Sequence, residues 1–471
     1  MRKAVQILIL CAAVTATVWF LVSGKRSDTS AEESAAANYM KYCSGCHGAR
    51  LEKFAEKKWM DEEGITSVFN SIKYGLENLG MPAFEKTFTD SEIEALAGYV
   101  KKGIPADRST LEAALTPDAV TESEVQKFTV DTVVSGLNVP WGMSFLPNGD
   151  MLISERSGSL YIFSGGKLSD PVKGVPGVMA IGQGGLLDIC LHPDYARNGW
   201  IYFTYSYLAD NRGKPTGNTA IMRARLKGNS LVDQDIIFMG EPATDRNYHF
   251  GSKIAFDNKG HIFFGIGDRG QHFDFPQKLD NHNGKIHRLN DDGSIPPDNP
   301  FVNTPGAMPS IYSYGHRNPQ GTCIDPITGE LWISEHGPRG GDELNLIRPG
   351  VNYGWPVISY GINYDGTVLT SLTEKDGMEQ PVFYWTPSIG PCGMTFVTGD
   401  RYPHWKNNIL LGSLPLKHLE RVVMNDKTVI HREQLLEGIG RVRNVVMGHD
   451  GYIYLAIETP GKILRLMPVE Q

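Results

Sequence analysis

Cys43-Ser44-Gly45-Cys46-His47 sets two thiols three positions apart with an imidazole directly behind them. That spacing suits covalent attachment of a porphyrin. Two thioethers form at its vinyl groups and the adjacent histidine reaches the iron, so Cys43 and Cys46 are expected to carry a c-type haem and His47 to ligate it. The plain alternative, a surface disulfide followed by an incidental histidine, fits poorly with helical surroundings. The sixth ligand should be a soft thioether, and Met81 in Gly80-Met81-Pro82-Ala83-Phe84 lies at a suitable distance downstream. Iron closed by His47 and Met81 moves single electrons and leaves no open position for bond chemistry. Any catalyst has to be built elsewhere in the chain.

One candidate is Gly440-Arg441-Val442-Arg443-Asn444. Arg441 and Arg443 alternate along a strand-like run, so both guanidiniums project to one face and can fork onto carboxylates. The competing reading is a solvated strand face. Of the remaining cysteines, Cys11 lies in an apolar run, and Cys190, Cys323 and Cys392 are isolated, form no disulfide framework, and are expected as buried thiols. A net charge of −8 without a concentrated basic cluster excludes nucleic acid as partner. An apolar share of 41% and a charged share of 21% exclude both extended disorder and an all-membrane protein.

These groups need elements to hold them. Arg2 and Lys3 precede an apolar run from Ala4 to about Ser23, followed by Lys25 and Arg26, which marks residues 1–26 as an export segment. The run approaches the roughly 20 residues that span a bilayer, and no A-x-A site closes it. An uncleaved hydrophobic helix, anchoring the chain to the inner membrane on its periplasmic side, is therefore preferred over a cleaved signal. Residues 27–37 suit a polar tether. Residues 38–104 carry a helical pattern, with Thr89-Asp90-Ser91-Glu92 as N-cap before Ile93, Leu96, Ala97, Tyr99 and Val100 on one face, and form a small α domain. Residues 105–127 are read as a linker.

From 128 to 471 short β-type runs alternate with Gly, Asn, Asp and Pro, and one phrase of turn then strand returns six times. It occurs at Asn148-Gly149, Asn198-Gly199, Lys259-Gly260, Thr328-Gly329, Asn407-Asn408 and Asp450-Gly451. Each can supply the positive-φ positions of a tight hairpin. Each interval holds one four-stranded sheet, and six such sheets close a propeller. A β-sandwich with repeated hairpins is the alternative. The expected fold is thus all-β, a six-bladed β-propeller preceded by a small all-α domain and the hydrophobic helix.

Two resemblances add to this reading. The first segment resembles class I cytochromes c, which pair C-x-x-C-H with a later Met-Pro and a final helix bearing Gly98-Tyr99-Val100. Residues from about Phe128 to Leu466 resemble the quinoprotein glucose/sorbosone dehydrogenase family. The resemblance rests on Val139-Pro140-Trp141-Gly142-Met143, Gly182-Gln183-Gly184-Gly185-Leu186-Leu187-Asp188, Tyr248-His249-Phe250-Gly251-Ser252-Lys253, Gly315-His316-Arg317-Asn318-Pro319-Gln320-Gly321, Glu335-His336-Gly337-Pro338, Asp342-Glu343-Leu344-Asn345 and Asn352-Tyr353-Gly354-Trp355-Pro356.

The family resemblance implies pyrroloquinoline quinone (PQQ) with calcium beside it. His249 would be the general base, taking the proton of a substrate hydroxyl while hydride leaves the same carbon; an unperturbed pKa near 6.5 suits that task. Gln183, Arg317, Asn318, Arg441 and Arg443 would contact PQQ. The carbonyls of Gly337 and Pro338 would ligate the calcium beside it, and Glu343 with Tyr353 a second, structural calcium. Where the family carries Gly-Ser-Leu-Lys, this chain has Gly412-Ser413-Leu414-Pro415, so the expected lysine is missing and Lys417 is the candidate substitute.

The implied activity is oxidation of aldose sugars or related alcohols and aldehydes, with electrons passed to the fused haem and on to a soluble cytochrome or membrane oxidase. The rival functions are a calcium-dependent lactonase-like hydrolase, against which the two arginines argue, and a non-catalytic carbohydrate- or protein-binding propeller, which Pro415 keeps open.

Overall fold

The computed structural model describes residues 34–39, 42–43, 64–75, 83–102, 119–209, 215–270 and 273–469. The chain divides into two compact units, residues 1–108 with 364–367, and residues 109–363 with 368–471. The apolar run at 4–23, Cys46, His47 and Met81 lie outside the described residues. Among the described residues no helix is long and apolar enough to cross a membrane.

In the first unit, α1 (Gly64–Tyr74) and α2 (Asp90–Lys102) pack together. Thr89 and Glu92 form a capping box: the Thr89 N–H donates to Glu92 Oε2 at 2.8 Å, and the Glu92 N–H donates to Thr89 Oγ1 at 3.4 Å. The face expected from the spacing is buried, with Ile93, Leu96, Ala97 and Val100 against Tyr39, Val68, Ile72, Phe84 and Phe88. Cys43 packs on the same cluster.

The second unit is built from six antiparallel sheets. The first blade holds β3 (Pro140–Phe145), β4 (Met151–Glu155), β5 (Leu160–Ser164) and β6 (Lys167–Leu168). The second holds β7 (Leu186–Leu191), β8 (Trp200–Ala209), β9 (Thr216–Lys227) and β10 (Ser230–Met239). The third holds β11 (Ile254–Phe256), β12 (Ile262–Ile266), β13 (Lys285–Leu289) and β14 (Ile311–Tyr314). The fourth holds β15 (Pro319–Ile324), β16 (Leu331–Glu335), β17 (Asp342–Ile347) and β18 (Phe383–Trp385). The fifth holds β19 (Pro391–Phe396), β20 (Ile409–Ser413), β21 (Leu419–Asn425) and β22 (Thr428–Leu435). The sixth joins β23 (Val442–Met447), β24 (Ile453–Ile457) and β25 (Lys462–Pro468) to β2 (Lys127–Ser135), with β1 (Thr121–Glu122) outside it. First strands touch in ring order, β3, β7, β11, β15, β19, β23 and back to β3, which closes the propeller. The stretch expected as linker therefore ends in ordered pairing, Thr121 opposite Phe128 and Glu122 opposite Lys127.

All six repeated turns fall at one topological position, between the first and second strand of each blade. Gly149, Gly199, Gly260, Gly329 and Gly451 adopt φ of 90°, 69°, 84°, 73° and 78°, and Asn407 adopts 65°. This left-handed region is open to glycine and tolerated by asparagine. The second strand then runs through the middle of its blade and is buried on both faces. Its alternate residues serve different neighbours: Leu152 packs toward the second blade with Leu186, Phe203 and Met222, while Met151 and Ile153 pack toward the sixth with Tyr454, Ala456 and Ile463. The same division recurs around the ring.

Candidate active site

Because the repeated turns occupy one end of the ring, the segments entering each first strand and the loops leaving each second strand share the other end. Gln183 precedes β7, His249 precedes β11, Arg317 and Asn318 precede β15, and Arg441 precedes β23. Asp268, Gly337, Pro338, Lys417 and Glu458 lie in loops after second strands. Four carboxylates follow one rule: Glu155, Asp268, Glu335 and Glu458 stand at or just past the end of a second strand and bind the segment entering the first strand of their own blade.

In the third blade that device orients a histidine. His249 sits at φ 59°, and its N–H donates to Gln183 Oε1 at 2.9 Å. Its Nδ1 meets Asp268 Oδ1 at 2.6 Å, while Asp268 Oδ2 accepts from Trp355 Nε1 at 2.8 Å and Oδ1 from the Gly270 N–H at 2.8 Å. Burial pulls the Asp268 carboxyl upward, but His249, Arg317 and the Gly270 N–H together outweigh it and the group stays below its ordinary range. An ionised Asp268 fixes the Nδ1–H tautomer and leaves Nε2 as the acceptor. Burial, then Arg317, lowers the His249 pKa, with Asp268 opposing. The product is a neutral, oriented imidazole.

The sixth blade uses the device on cations. Arg441 Nε donates to Glu458 Oε2 at 2.6 Å and Arg443 Nε to Oε1 at 2.6 Å, so both guanidiniums do face one way. Burial raises the Glu458 pKa, and Arg443 and Arg441 overcome it, bringing the group to about 2. Arg443 also reaches Gln320 Oε1 at 3.0 Å and Cys392 Sγ at 3.1 Å, and stacks 3.8 Å over the Trp141 ring. Gln320 Nε2 continues to Asn318 Oδ1 at 3.2 Å, which links the sixth blade to Arg317 and Asn318. Arg317 Nη1 donates to the His336 carbonyl at 3.1 Å, and its guanidinium lies 5.2 Å from the Trp355 ring centre. One hydrogen-bonded and stacked network thus joins the arginines, the asparagine and the Asp268–His249 pair.

Residues 137–465 match the family model described as Glucose / Sorbosone dehydrogenase. The chain belongs to the glucose/sorbosone dehydrogenase family. Residues 30–100 of this glucose/sorbosone dehydrogenase family member match a second model, described as cytochrome c oxidase, cbb3-type, subunit III, so a cytochrome c domain precedes the propeller. The chain is 41% identical over 347 residues to the aldose sugar dehydrogenase YliI of Escherichia coli, covering 72% of this chain and 92% of the relative. The solved apo-form of soluble aldose sugar dehydrogenase from Escherichia coli superposes with a TM-score of 0.70 at 39% identity, covering 73% of this chain and 100% of that one. The PQQ-bound aldose sugar dehydrogenase of Streptomyces coelicolor superposes with a TM-score of 0.60 at 30% identity, covering 74% and 100%.

The site of this family member fits a flat, carboxylate-bearing quinone on its own terms. Buried Asn318 Nδ2 and Arg317 Nε have no hydrogen-bond partner among the described residues, and buried donors are rarely left so. Two arginines share the single carboxylate of Glu458. For the calcium positions, the Gly337 N–H donates to Asp342 Oδ1 at 2.8 Å and Pro338 O accepts from Ser388 Oγ at 3.1 Å. Glu343 stands directly across the sheet from Glu335, and burial followed by Glu335 and Asp342 pushes it up to about 8. Its nearest relief is Asn345 Nδ2 at 2.9 Å. The Tyr353 ring stacks on His316 at 4.7 Å and its hydroxyl donates to Leu346 O at 2.6 Å. Among the described residues no group of three or more His, Cys, Asp or Glu side chains is arranged for a metal ion.

Lys417 adopts φ 54° in the loop from β20 to β21, half-buried, and no side-chain contact ties it to the network. Cys190, Cys323 and Cys392 are free thiols; the first two are partly buried on apolar clusters, whereas Cys392 is buried within the polar network, its sulfur accepting from Arg443. Sequence reading missed Asp268, Gln320 and Glu458. The signal that finds the acids is an acidic residue six to eight positions after a repeated turn, as from Gly149 to Glu155, Gly260 to Asp268, Gly329 to Glu335 and Gly451 to Glu458.

Proposed function

We propose that this protein oxidises aldose sugars or related alcohols and aldehydes with PQQ and calcium, and passes the electrons through its c-type haem to a respiratory acceptor outside the cytoplasm. The observation that carries the reading is the buried Asp268–His249 pair beside unpartnered donors and surplus arginines. His249 Nε2 takes the proton from the substrate hydroxyl, and Asp268 holds the ring and stabilises the charge that forms. PQQ, when bound, supplies the two-electron acceptor for the hydride leaving the same carbon. Arg317, Asn318, Arg441 and Arg443 would hold it, with Lys417 in place of the lysine lost at Pro415. Calcium would bind at the carbonyls of Gly337 and Pro338, and a second ion at Glu343 and Tyr353, where a cation would relieve the Glu335–Glu343 pair. Cys43, Cys46, His47 and Met81 would hold the haem, and the apolar run at residues 4–23 would anchor the chain on the periplasmic face.

The test is haem absorbance in the full-length protein loaded with PQQ and calcium, on addition of an aldose panel, beside His249→Ala. Reduction that needs sugar, PQQ and His249 supports the reading. Absence of PQQ binding would favour a non-catalytic carbohydrate-binding propeller.

A further inference from the structure

The group around Glu458 has a further member. Arg156 follows the end of β4; its N–H donates to Val139 O at 3.1 Å and its carbonyl accepts the Leu186 N–H at 3.2 Å. Gly185 passes so close that a Cβ there would lie 1.8 Å from Arg156 O and 2.7 Å from Arg156 Cγ. The side chain therefore starts against the glycine-rich run that carries Gln183. Its guanidinium is partly buried, feels Glu458, Arg443 and Arg441, and makes no side-chain hydrogen bond or ion pair among the described residues. Glu458 is engaged elsewhere, with Oε2 accepting from Arg441 and Oε1 from both Nε and Nη2 of Arg443. Arg156 thus stands at the end of the ring that also holds Arg441, Arg443 and Glu458, where guanidiniums outnumber carboxylates and further negative charge is favoured.

We propose that Arg156 is a third cationic contact for the carboxylates of PQQ, completing with Arg441 and Arg443 a cradle of three guanidiniums around Glu458; this rests on the PQQ reading above. Its side chain is a binding group and not a support of the apo fold, which gives it a signature that a structural arginine lacks. Removing it relieves like-charge repulsion in the apo protein while weakening the cofactor.

The test is isothermal titration of PQQ into apo full-length protein, with thermal unfolding of the apo form, for wild type, Arg156→Gln and Arg156→Lys. The expected result is about 10- to 100-fold weaker PQQ binding for Arg156→Gln, the range for loss of a hydrogen bond to a charged group. The apo melting temperature should be equal to or above that of wild type, and Arg156→Lys should recover part of the affinity. Wild-type affinity in Arg156→Gln overturns the inference alone. So does an apo melting temperature that falls in Arg156→Gln and returns in Arg156→Lys. A wild type that binds no PQQ sinks the reading beneath it as well.

Discussion

The third and sixth blades apply the same backbone device to opposite ends. Each ends its second strand near an acid that turns back onto the segment entering its first strand. In the third blade one carboxylate meets one imidazole, so charge is balanced and the ring is left neutral and aimed. In the sixth, one carboxylate meets Arg441 and Arg443 together, so cationic charge is left over. The difference teaches that the repeat supplies only a position. What stands opposite the acid decides whether that position holds a neutral, aimed imidazole or a surplus of cationic charge.

The comparison breaks most sharply at His249. His249→Ala should lower kcat/KM for sugar-driven haem reduction by about 100- to 10,000-fold, the range for losing a positioned general base. Titrated PQQ affinity should stay within about threefold. Next comes Glu458→Ala, which leaves buried Arg443 and its neighbour uncompensated and should cost roughly 3–5 kcal/mol in urea unfolding of the apo protein. Added PQQ should restore part of that loss, whereas it should do little for the stability of His249→Ala.

Asp268→Asn tests the balanced blade more gently. Misorientation of the ring should reduce kcat by about 100-fold. The pH profile sharpens the point. Only the neutral imidazole accepts a proton, and burial with Arg317 holds the His249 pKa below 6.5, so the acid limb of kcat/KM in the wild type should fall below pH 6.5. Asp268 raises that pKa, so the limb in Asp268→Asn should move lower still; a limb that moves upward would contradict the assignment of His249 as base.

The smallest effect belongs to the fourth blade, where an acid faces another acid. Glu343→Gln removes a carboxyl that burial and Glu335 make costly to ionise and should raise the stability of calcium-free protein by about 0.2–1 kcal/mol. The same change should shrink the melting shift on adding calcium. A calcium shift of wild-type size in Glu343→Gln would move that ion elsewhere.

The ring itself was legible because its six turns share one conformational demand, a left-handed residue followed by a fully buried strand. Gly149 and Gly451 announce the same corner some three hundred residues apart. Arg441 and Arg443 were legible from alternation, and His249 only through family resemblance, since nothing local separates it from the other histidines. Asp268 and Glu458 were missed because the contacts that define them cross between two strands of a blade, and their only trace, an acid at a set offset from the repeated turn, is absent from the second and fifth blades. The end of the stretch taken as linker was missed for a similar reason. Thr121 and Glu122 have no strand pattern of their own and owe their pairing to β2.

The closure of the sixth blade also dictates an order of events during synthesis. β2 leaves the ribosome with Phe128 through Ser135 some three hundred residues before its partner β25, from Lys462 to Pro468. Until then β2 offers an open strand edge, and the five intervening blades must assemble around an unclosed ring. Contacts of such separation are slow to form, and an exposed edge invites pairing with other chains. A nascent chain halted before Lys462 would thus retain every residue of the Asp268–His249 pair yet remain an open arc with an unpaired β2 edge.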